Sequence, residues 1–565
     1  METTAFDLLD EPWIRVMTHD RQIRELSLTQ ALLQSHEYRR LAGELPTQDV
    51  AILRLLLAVL HTVFYRMDLD GADDPIEERG QALARWRALR QAGRLPEGPI
   101  RAYLEHWHDR FWLFHPERPF YQVPGADVGT LYKASKLNGE LSESSNKPRL
   151  FPVRAGVAKE SLTYAEAARW LVYLNGFDDT SAKPKGKDLP SPGAGWMGKL
   201  GLIYIEGDTL FDTLLMNLTL LRDDRSLWDA PDPVWERDKP KSAERTEIAR
   251  PNDPAALLTL PSRRLLLARE GDRVTGYSLL GGDFFSKNNA TAEQMTLWER
   301  RKGKKNEPDY DQPKRLDPDR QMWRDFSVIT ANGGTGRRPG VIAWIATLKE
   351  KGVLPRGLVI RSCTAGVKYG DKDFFVEDIL SDHLDFHAAL LNEAGALWNE
   401  LVGRKIDEID DAAGRVALLA EHLFRAGGGQ PGSPAQDARK RQAKQDFYAA
   451  VDVEFRQWLS SIDPEQGDSE DLRAKADETW RKTACRIALR QGRDMVDRAG
   501  TPAFVGRWVD QKFYASPIAL DRFVFGIGKL FAIENRKKED RPNEQQGIGD
   551  GVRGQTAGTV GKHEQ

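Results

Sequence analysis

Cysteine is almost missing from this sequence. Cys363 and Cys485 are the only two in 565 residues, too few for a disulfide framework or for a zinc site built on three or four thiolates. Both are expected as small buried apolar residues. An excess of one charge is also lacking: 82 Lys and Arg stand against 85 Asp and Glu, a net charge of -3, whereas a free-standing nucleic-acid binder is usually net basic. A balanced total still permits a local basic loop to touch a duplex when a larger assembly supplies most of the affinity. No apolar run suggests a membrane, because the stretch from Leu53 to Phe64 is interrupted by Arg54 and His61 and is short for a bilayer. Met1 to Asp10 has neither a basic n-region nor an apolar h-region, so no signal peptide is expected and the chain is placed in the cytoplasm.

Motifs for chemistry are lacking too. Gly333-Gly334-Thr335-Gly336 followed by Arg337-Arg338 has no Lys-Ser/Thr ending of a P-loop and no dinucleotide spacing. His106, His108 and Asp109 make the one fragment of a type that a metal-dependent nuclease uses, but they sit beside Trp107, Phe111 and Trp112 and no second His-Asp cluster completes a site. A packed amphipathic surface is the competing reading. None of the ten histidines stands in a nucleophile motif. The expectation is a non-enzyme without cofactor.

What is present is a long chain with a change of character along it. Apolar spacing predicts helices over 26–33, 47–64 and 164–174, and β-prone runs at 201–206 and 264–269, with 340–347 open between strand and helix. The aromatic, proline-punctuated run from Phe111 to Val123 suits a packed turn, and 178–198 reads as a long surface loop. Lys302, Lys304, Lys305, Lys314 and Arg315 fall in what reads as a solvated insertion. Beyond Val376 helical patterns take over at 377–403, 411–426, 435–462, 469–499 and 517–535. Phe447, Val451, Phe455 and Trp458 form one apolar stripe, and Ala476, Trp480, Ala484 and Ile487 another. The fold class expected is α+β: a mixed domain over 1–375, a helical bundle over 376–536 and a disordered polar tail over 537–565.

Two features suit contact with nucleic acid. Gly193-Ala194-Gly195 follows Pro192 and the basic approach Lys183, Lys185 and Lys187, and small residues let backbone N–H groups come close to a base edge or phosphate. A flexible linker is the alternative. Lys482, Arg486, Arg490 and Arg493 lie about one turn apart on one helix face, fit either to track a phosphate backbone or to meet solvent.

Several blocks carry a resemblance: Phe6 to Ile14 (FDLLDEPWI), Leu41 to Pro46 (LAGELP), Phe114 to Gln122 (FHPERPFYQ), Leu257 to Arg264 (LLTLPSRR), and Asp317 to Arg320 with Trp323-Arg324. In this order, over about residues 6–535, they resemble the CasA family, the large subunits of type I-E CRISPR Cascade. The fourth block has Leu260 and Pro261 where the family has other residues. The resemblance implies a mixed N-terminal domain and a C-terminal four-helix bundle. It also implies partners: the other Cascade subunits, the crRNA 5′ handle, double-stranded target DNA and a helicase-nuclease. The family reads the protospacer-adjacent motif and helps open the duplex, while base pairing reads the rest.

Residue by residue, Asn146, Lys147, Leu150 and Phe151 match the family's loop at the crRNA handle and adjacent motif. Gly193, Ala194 and Gly195 match its glycine loop on the minor groove. Lys287 stands near the place of its minor-groove lysine. Tyr369, Gly370, Asp371 and Lys372, with Asp373, occupy the strand-separating wedge, without the Asn-Gln pair of relatives. The cysteine cluster of some relatives is missing here. A pure assembly scaffold without DNA contact is the remaining alternative.

Overall fold

The structure, a computed structural model, describes residues 4–143, 148–180, 189–237, 246–248, 251, 253–286, 289–303, 308–330 and 336–531. Its longest apolar segment forms the helix Pro46–Arg66. Proline opens the first turn, where a missing N–H leaves no bond unmade. The helix is longer than the sequence pattern suggested and is long and apolar enough by composition to cross a bilayer. In this fold 94% of its most apolar window is buried. Its two polar interruptions are buried with it. Arg54 forms a two-pronged ion pair with Glu293 at 2.7 and 3.0 Å. Burial keeps His61 neutral, lowering its pKa to about 3.

Three antiparallel three-stranded sheets accompany this helix. One joins Ile23–Leu26, Ile14–Met17 and Arg40–Leu41. A second orders Thr130–Lys133, Arg273–Gly281 and Arg263–Glu270. The third orders Val376–His387, Val359–Tyr369 and Leu202–Glu206. The segment 340–347 is helical, within Gly340–Glu350. In the aromatic run, Trp112–Phe114 is a strand paired with Ala5–Asp7.

The helix expected over 377–403 is not there. Val376–His387 is a strand, and the first bundle helix, Ala396–Ala426, runs unbroken through the expected gap at 404–410. Acidic residues are poor strand formers, and Glu377, Asp378, Asp382 and Asp385 hid the period-two burial of Leu384 and Phe386. Cross-strand cations stabilise them: Arg361 lies opposite Asp385 and pairs with it at 3.0 Å, and Lys368 pairs with Glu377 at 3.3 Å.

Ala396–Ala426, Pro434–Ser460, Glu470–Arg498 and Ser516–Phe531 form the four-helix bundle. Ser433 and Ser469 cap two of them by accepting N–H groups of the first turn. Phe447, Val451, Phe455 and Trp458 are all buried, and Trp480 packs 5.0 Å from Phe455 and 5.5 Å from Trp458, ring to ring. The bundle region is not wholly helical, since a hairpin of Arg507–Val509 and Lys512–Tyr514 precedes the last helix. Trp323 joins the two regions: its ring lies 4.5 Å from Phe455 and its Nε1 donates to Asp452 at 2.8 Å. Arg456 adds a bidentate pair with Asp382 at 2.9 and 3.0 Å. The expected tail over 537–565 lies outside the described residues. Both cysteines are free and buried.

Candidate nucleic-acid interface

The helix Tyr164–Phe177 starts on a capping box, Thr163 with Glu166, and delivers Asp178 and Asp179 at its end. The strand Arg263–Glu270 begins directly against that end, and Arg263 gathers it. Its Nε donates to the Asp178 carboxylate at 2.5 Å. Its Nη2 donates to the carbonyls of Gly193 at 2.7 Å, Asp179 at 3.2 Å and Asp178 at 3.3 Å. The Gly195 N–H donates to the Asp178 carbonyl at 2.9 Å. The two ends of the segment 180–193 are thereby stapled together. Lys136 neutralises Asp179, and the four charged side chains are 6% exposed or less. Charges so buried persist only when paired and hydrogen-bonded.

This anchoring corrects the expected exposed glycine loop. Gly193 does present open backbone: its φ is +65°, and an added Cβ would meet only the end of Lys199 at 3.9 Å. Ala194 and Gly195 are buried instead. A Cβ on Gly195 would sit 2.4 Å from the Gly176 carbonyl oxygen, so this glycine serves close packing against the helix end. Lys183, Lys185 and Lys187 lie outside the described residues.

The hairpin of Val359–Tyr369 and Val376–His387 brings its tip to the same place. Thr180 N–H donates to the Asp373 carbonyl at 2.8 Å, and its hydroxyl donates to the Lys372 carbonyl at 2.8 Å. Lys372 and Asp373 take positive φ, 51° and 61°. Arg315 grips Asp373 with two bonds of 2.9 and 2.8 Å, so this residue of the supposed solvated insertion pins the tip. Tyr369 is not a tip residue. Its hydroxyl donates to the Phe177 carbonyl at 2.6 Å beneath the Arg315 guanidinium, and burial pushes its pKa up. Gly370 admits the Phe375 ring, while Asp371, Lys372 and Phe374 face solvent.

A third segment arrives from the helix turn Ala134–Leu137, which carries Lys136. Glu143 pins its return: it accepts the Arg149 N–H at 2.8 Å and pairs with Lys159 at 2.5 Å. Leu150 and Phe151 then project at 89% and 94% exposure. Asn146 and Lys147 lie outside the described residues, as does Lys287. Beside Lys287, Phe285 packs on Trp196 at 4.3 Å between ring centroids, so that turn also borders the glycine segment.

The structure does not bring the basic stripe to this corner. Lys482 pairs with Glu478 at 2.7 Å and Arg486 lies 3.9 Å from Glu454, while Arg490 and Arg493 are exposed on the third bundle helix. His106, His108 and Asp109 do not converge either. His108 bonds Asp7 at 2.6 Å, His106 packs edge-on against Trp107, and Asp109 is 62% exposed beside Arg110. Among the described residues no group of three or more His, Cys, Asp or Glu is placed to hold a metal ion. Arg337 is committed to Asp223 at 2.6 and 2.9 Å and Arg338 to the Thr330 carbonyl, and Gly333 to Thr335 lie outside the described residues.

Sequence reasoning missed Arg263, Lys136, Thr180, Arg315 and Phe374 as parts of the corner. A signal existed for the first: adjacent arginines opening an apolar strand, Arg263-Arg264-Leu265-Leu266-Leu267, must be buried and need carboxylates, which Asp178 and Asp283 provide.

Residues 7–491 match the family model described as CRISPR-associated protein Cse1. A CasA/Cse1 protein of Thermus thermophilus is 33% identical over 343 residues, which are 58% of this chain and 61% of that protein, so the chain spans about three fifths of that relative's length. The crystal structure of Thermobifida fusca Cse1 superposes with a TM-score of 0.78 at 28% identity, over 94% of this chain and 99% of that one. A chain of a CRISPR RNA-guided surveillance complex shares the fold at 17% identity and a TM-score of 0.68, over 94% of this chain and all of that one.

Proposed function

The chain belongs to the CRISPR-associated protein Cse1 family, and from that premise we propose that it is the non-catalytic large subunit of an RNA-guided DNA-targeting complex. In this role it reads the protospacer-adjacent motif in duplex DNA, promotes strand opening and R-loop formation, and helps recruit a helicase-nuclease. Its partners are the other subunits, the crRNA 5′ handle and the target duplex.

One observation carries this reading: the anchored ends of three loops meet at one corner. Lys136 links the Leu150–Phe151 loop to Asp179, Arg263 closes the Gly193 segment, and Thr180 binds that segment to the hairpin tip. A fixed corner with open backbone at Gly193, exposed apolar groups at Leu150 and Phe151 on one loop, and Lys372 with Phe374 at the hairpin tip suits short-motif reading. Backbone at Gly193 can lie on a groove floor, and an exposed cation and ring can meet phosphate and an unstacked base. We assign this task to the mixed region and a supporting role to the bundle.

The test compares complexes with and without this chain, on duplexes carrying a library of flanking motifs, by mobility shift. Motif-dependent binding that requires the chain is expected. A complex without it that finds duplex targets normally would leave only the scaffold role.

A further inference from the structure

A cavity of about 450 Å³ opens at one end of the bundle, between the first three long helices, and none of its lining residues belongs to the three-loop corner. Its size falls within the range of about 300–1,000 Å³ typical of small-molecule sites. Leu423, Phe424, Ala443 and Met495 give it an apolar interior. The Phe424 ring is fixed from behind by the turn that ends the first helix. Gly429 donates its N–H to the Phe424 carbonyl at 2.8 Å and lies flat against the ring, where a Cβ would come within 2.1 Å. The rim is polar: Gln442 donates to Asp446 at 2.8 Å, and Arg439 and Arg498 stand at the opening.

Neither arginine has a carboxylate partner among the described residues; the Arg498 Nε donates to the Asp494 carbonyl at 3.0 Å. Arg490 and Arg493, exposed and likewise without an ion pair among the described residues, lead along the same helix toward Arg498. An aromatic and apolar recess with cations at its mouth, fed by a basic track, is how proteins hold single strands: the base stacks inside and the phosphate stays outside.

We propose that this cavity takes one nucleotide of single-stranded DNA, its base against Phe424 and Met495 and its phosphate on Arg439 and Arg498. The inference rests on the proposed function only for the source of the strand, which would be the one displaced when the target duplex opens. A neutral apolar partner does not fit two arginines without an ion pair among the described residues, and a paired base in a duplex keeps its faces stacked and cannot enter a recess between helices.

The test uses the full chain and a labelled oligothymidylate without complementarity to any guide, against an abasic strand of equal length, by fluorescence anisotropy at low salt. The intact strand is expected to bind about tenfold tighter, the scale of one base–aromatic stack. Phe424→Leu, which keeps an apolar side chain but removes the ring face, should remove that preference and leave the weaker binding of both strands. Met495→Ala, which removes the wall opposite the ring, should reduce the preference in the same way. Arg439→Ala with Arg498→Ala should weaken both strands and reduce the salt slope by about 1.4, two phosphate contacts on a single strand. Equal affinity of the wild-type chain for intact and abasic strands would overturn the proposal and leave the cavity to an apolar side chain of a neighbouring protein. Preference undiminished in both Phe424→Leu and Met495→Ala would overturn it as well. None of these variants touches the three-loop corner. Loss of motif discrimination on duplexes therefore speaks against the proposed function, and loss of the base preference speaks against the cavity.

Discussion

Replacing Arg263 with lysine should loosen the glycine segment while leaving the fold intact. Lysine keeps the charge, so the buried Asp178 stays neutralised, but one ammonium group cannot reach the carboxylate and three carbonyls together. Arg263→Met would instead strand Asp178, a loss of about 3–5 kcal/mol that endangers the whole domain. The arginine donates to carbonyls at both ends of the segment, Asp178 and Asp179 on one side and Gly193 on the other. At about 0.5–1.5 kcal/mol net for each bond, losing two or three of them shifts local closure by roughly 2–3 kcal/mol. That is about 30- to 150-fold. The Gly195 amide, which donates to Asp178, reports the closure directly, so its hydrogen exchange should accelerate by this factor while core amides of Pro46–Arg66 keep their rates. Duplex affinity of the assembled complex should weaken by no more than the same factor, since apparent affinity scales with the competent fraction. Single-stranded target should bind as before. A faster Gly195 amide with unchanged duplex affinity would refute the idea that segment order serves recognition. Equal losses on duplex and single strand would mean that lysine damages the fold.

Gly195→Ala should destabilise the chain and lower soluble yield, because its Cβ would lie 2.4 Å from the Gly176 carbonyl. Gly193→Ala should lower stability by only about 1 kcal/mol, the cost of a left-handed residue with a Cβ, as read by thermal melts of the two variants side by side. Phe151→Ala should leave the melting temperature unchanged, since the ring is 94% exposed, yet reduce retention of the chain on the crRNA-bearing complex in size-exclusion chromatography. His61 makes stability sensitive to acid. Its pKa falls from 6.5 unfolded to about 3 folded, so its contribution is complete above pH 6.5 and is lost as pH falls toward 3, about 2 kcal/mol by pH 5. His61→Phe should flatten that part of the denaturation profile, and an unchanged slope would assign the acid sensitivity elsewhere.

Much of the architecture was legible because it rests on periodicity. The stripes Phe447–Trp458 and Trp480–Ile487 placed bundle helices, and the apolar spacing around Leu53 and Leu60 placed the core helix. The hairpin strand Val376–His387 was illegible because its acidic residues owe their place to cations on other elements, Arg361, Lys368 and Arg456. Candidate site residues followed the same division. Gly193, Leu150 and Phe151 stand out locally by composition, and the structure leaves them open to solvent. Tyr369 and Gly195 share that local character, but their roles are set by Phe177 and Gly176, distant or unremarkable in sequence. The anchors Lys136 and Arg315 read as ordinary surface charges until the chain brings each one its carboxylate, whereas Arg263, at the head of an apolar strand, carried a local sign of its burial.

The staple between Asp178 and Gly195 turns everything between them into a closed excursion from the frame. Its ends are fixed by the Gly195 backbone bond and the Arg263 guanidinium, with Lys136 on Asp179 and the hairpin tip on Thr180. Loop-closure entropy grows only with the logarithm of length, about 0.6 kcal/mol for each doubling. Insertions, deletions and replacement of the residues inside those anchors therefore weigh little on the fold, provided that Asp178, Asp179, Thr180, Gly193 to Gly195 and Arg263 stay. Such a segment can drift or be exchanged as a cassette, giving evolution a way to change what the corner touches while the scaffold beneath it stands still.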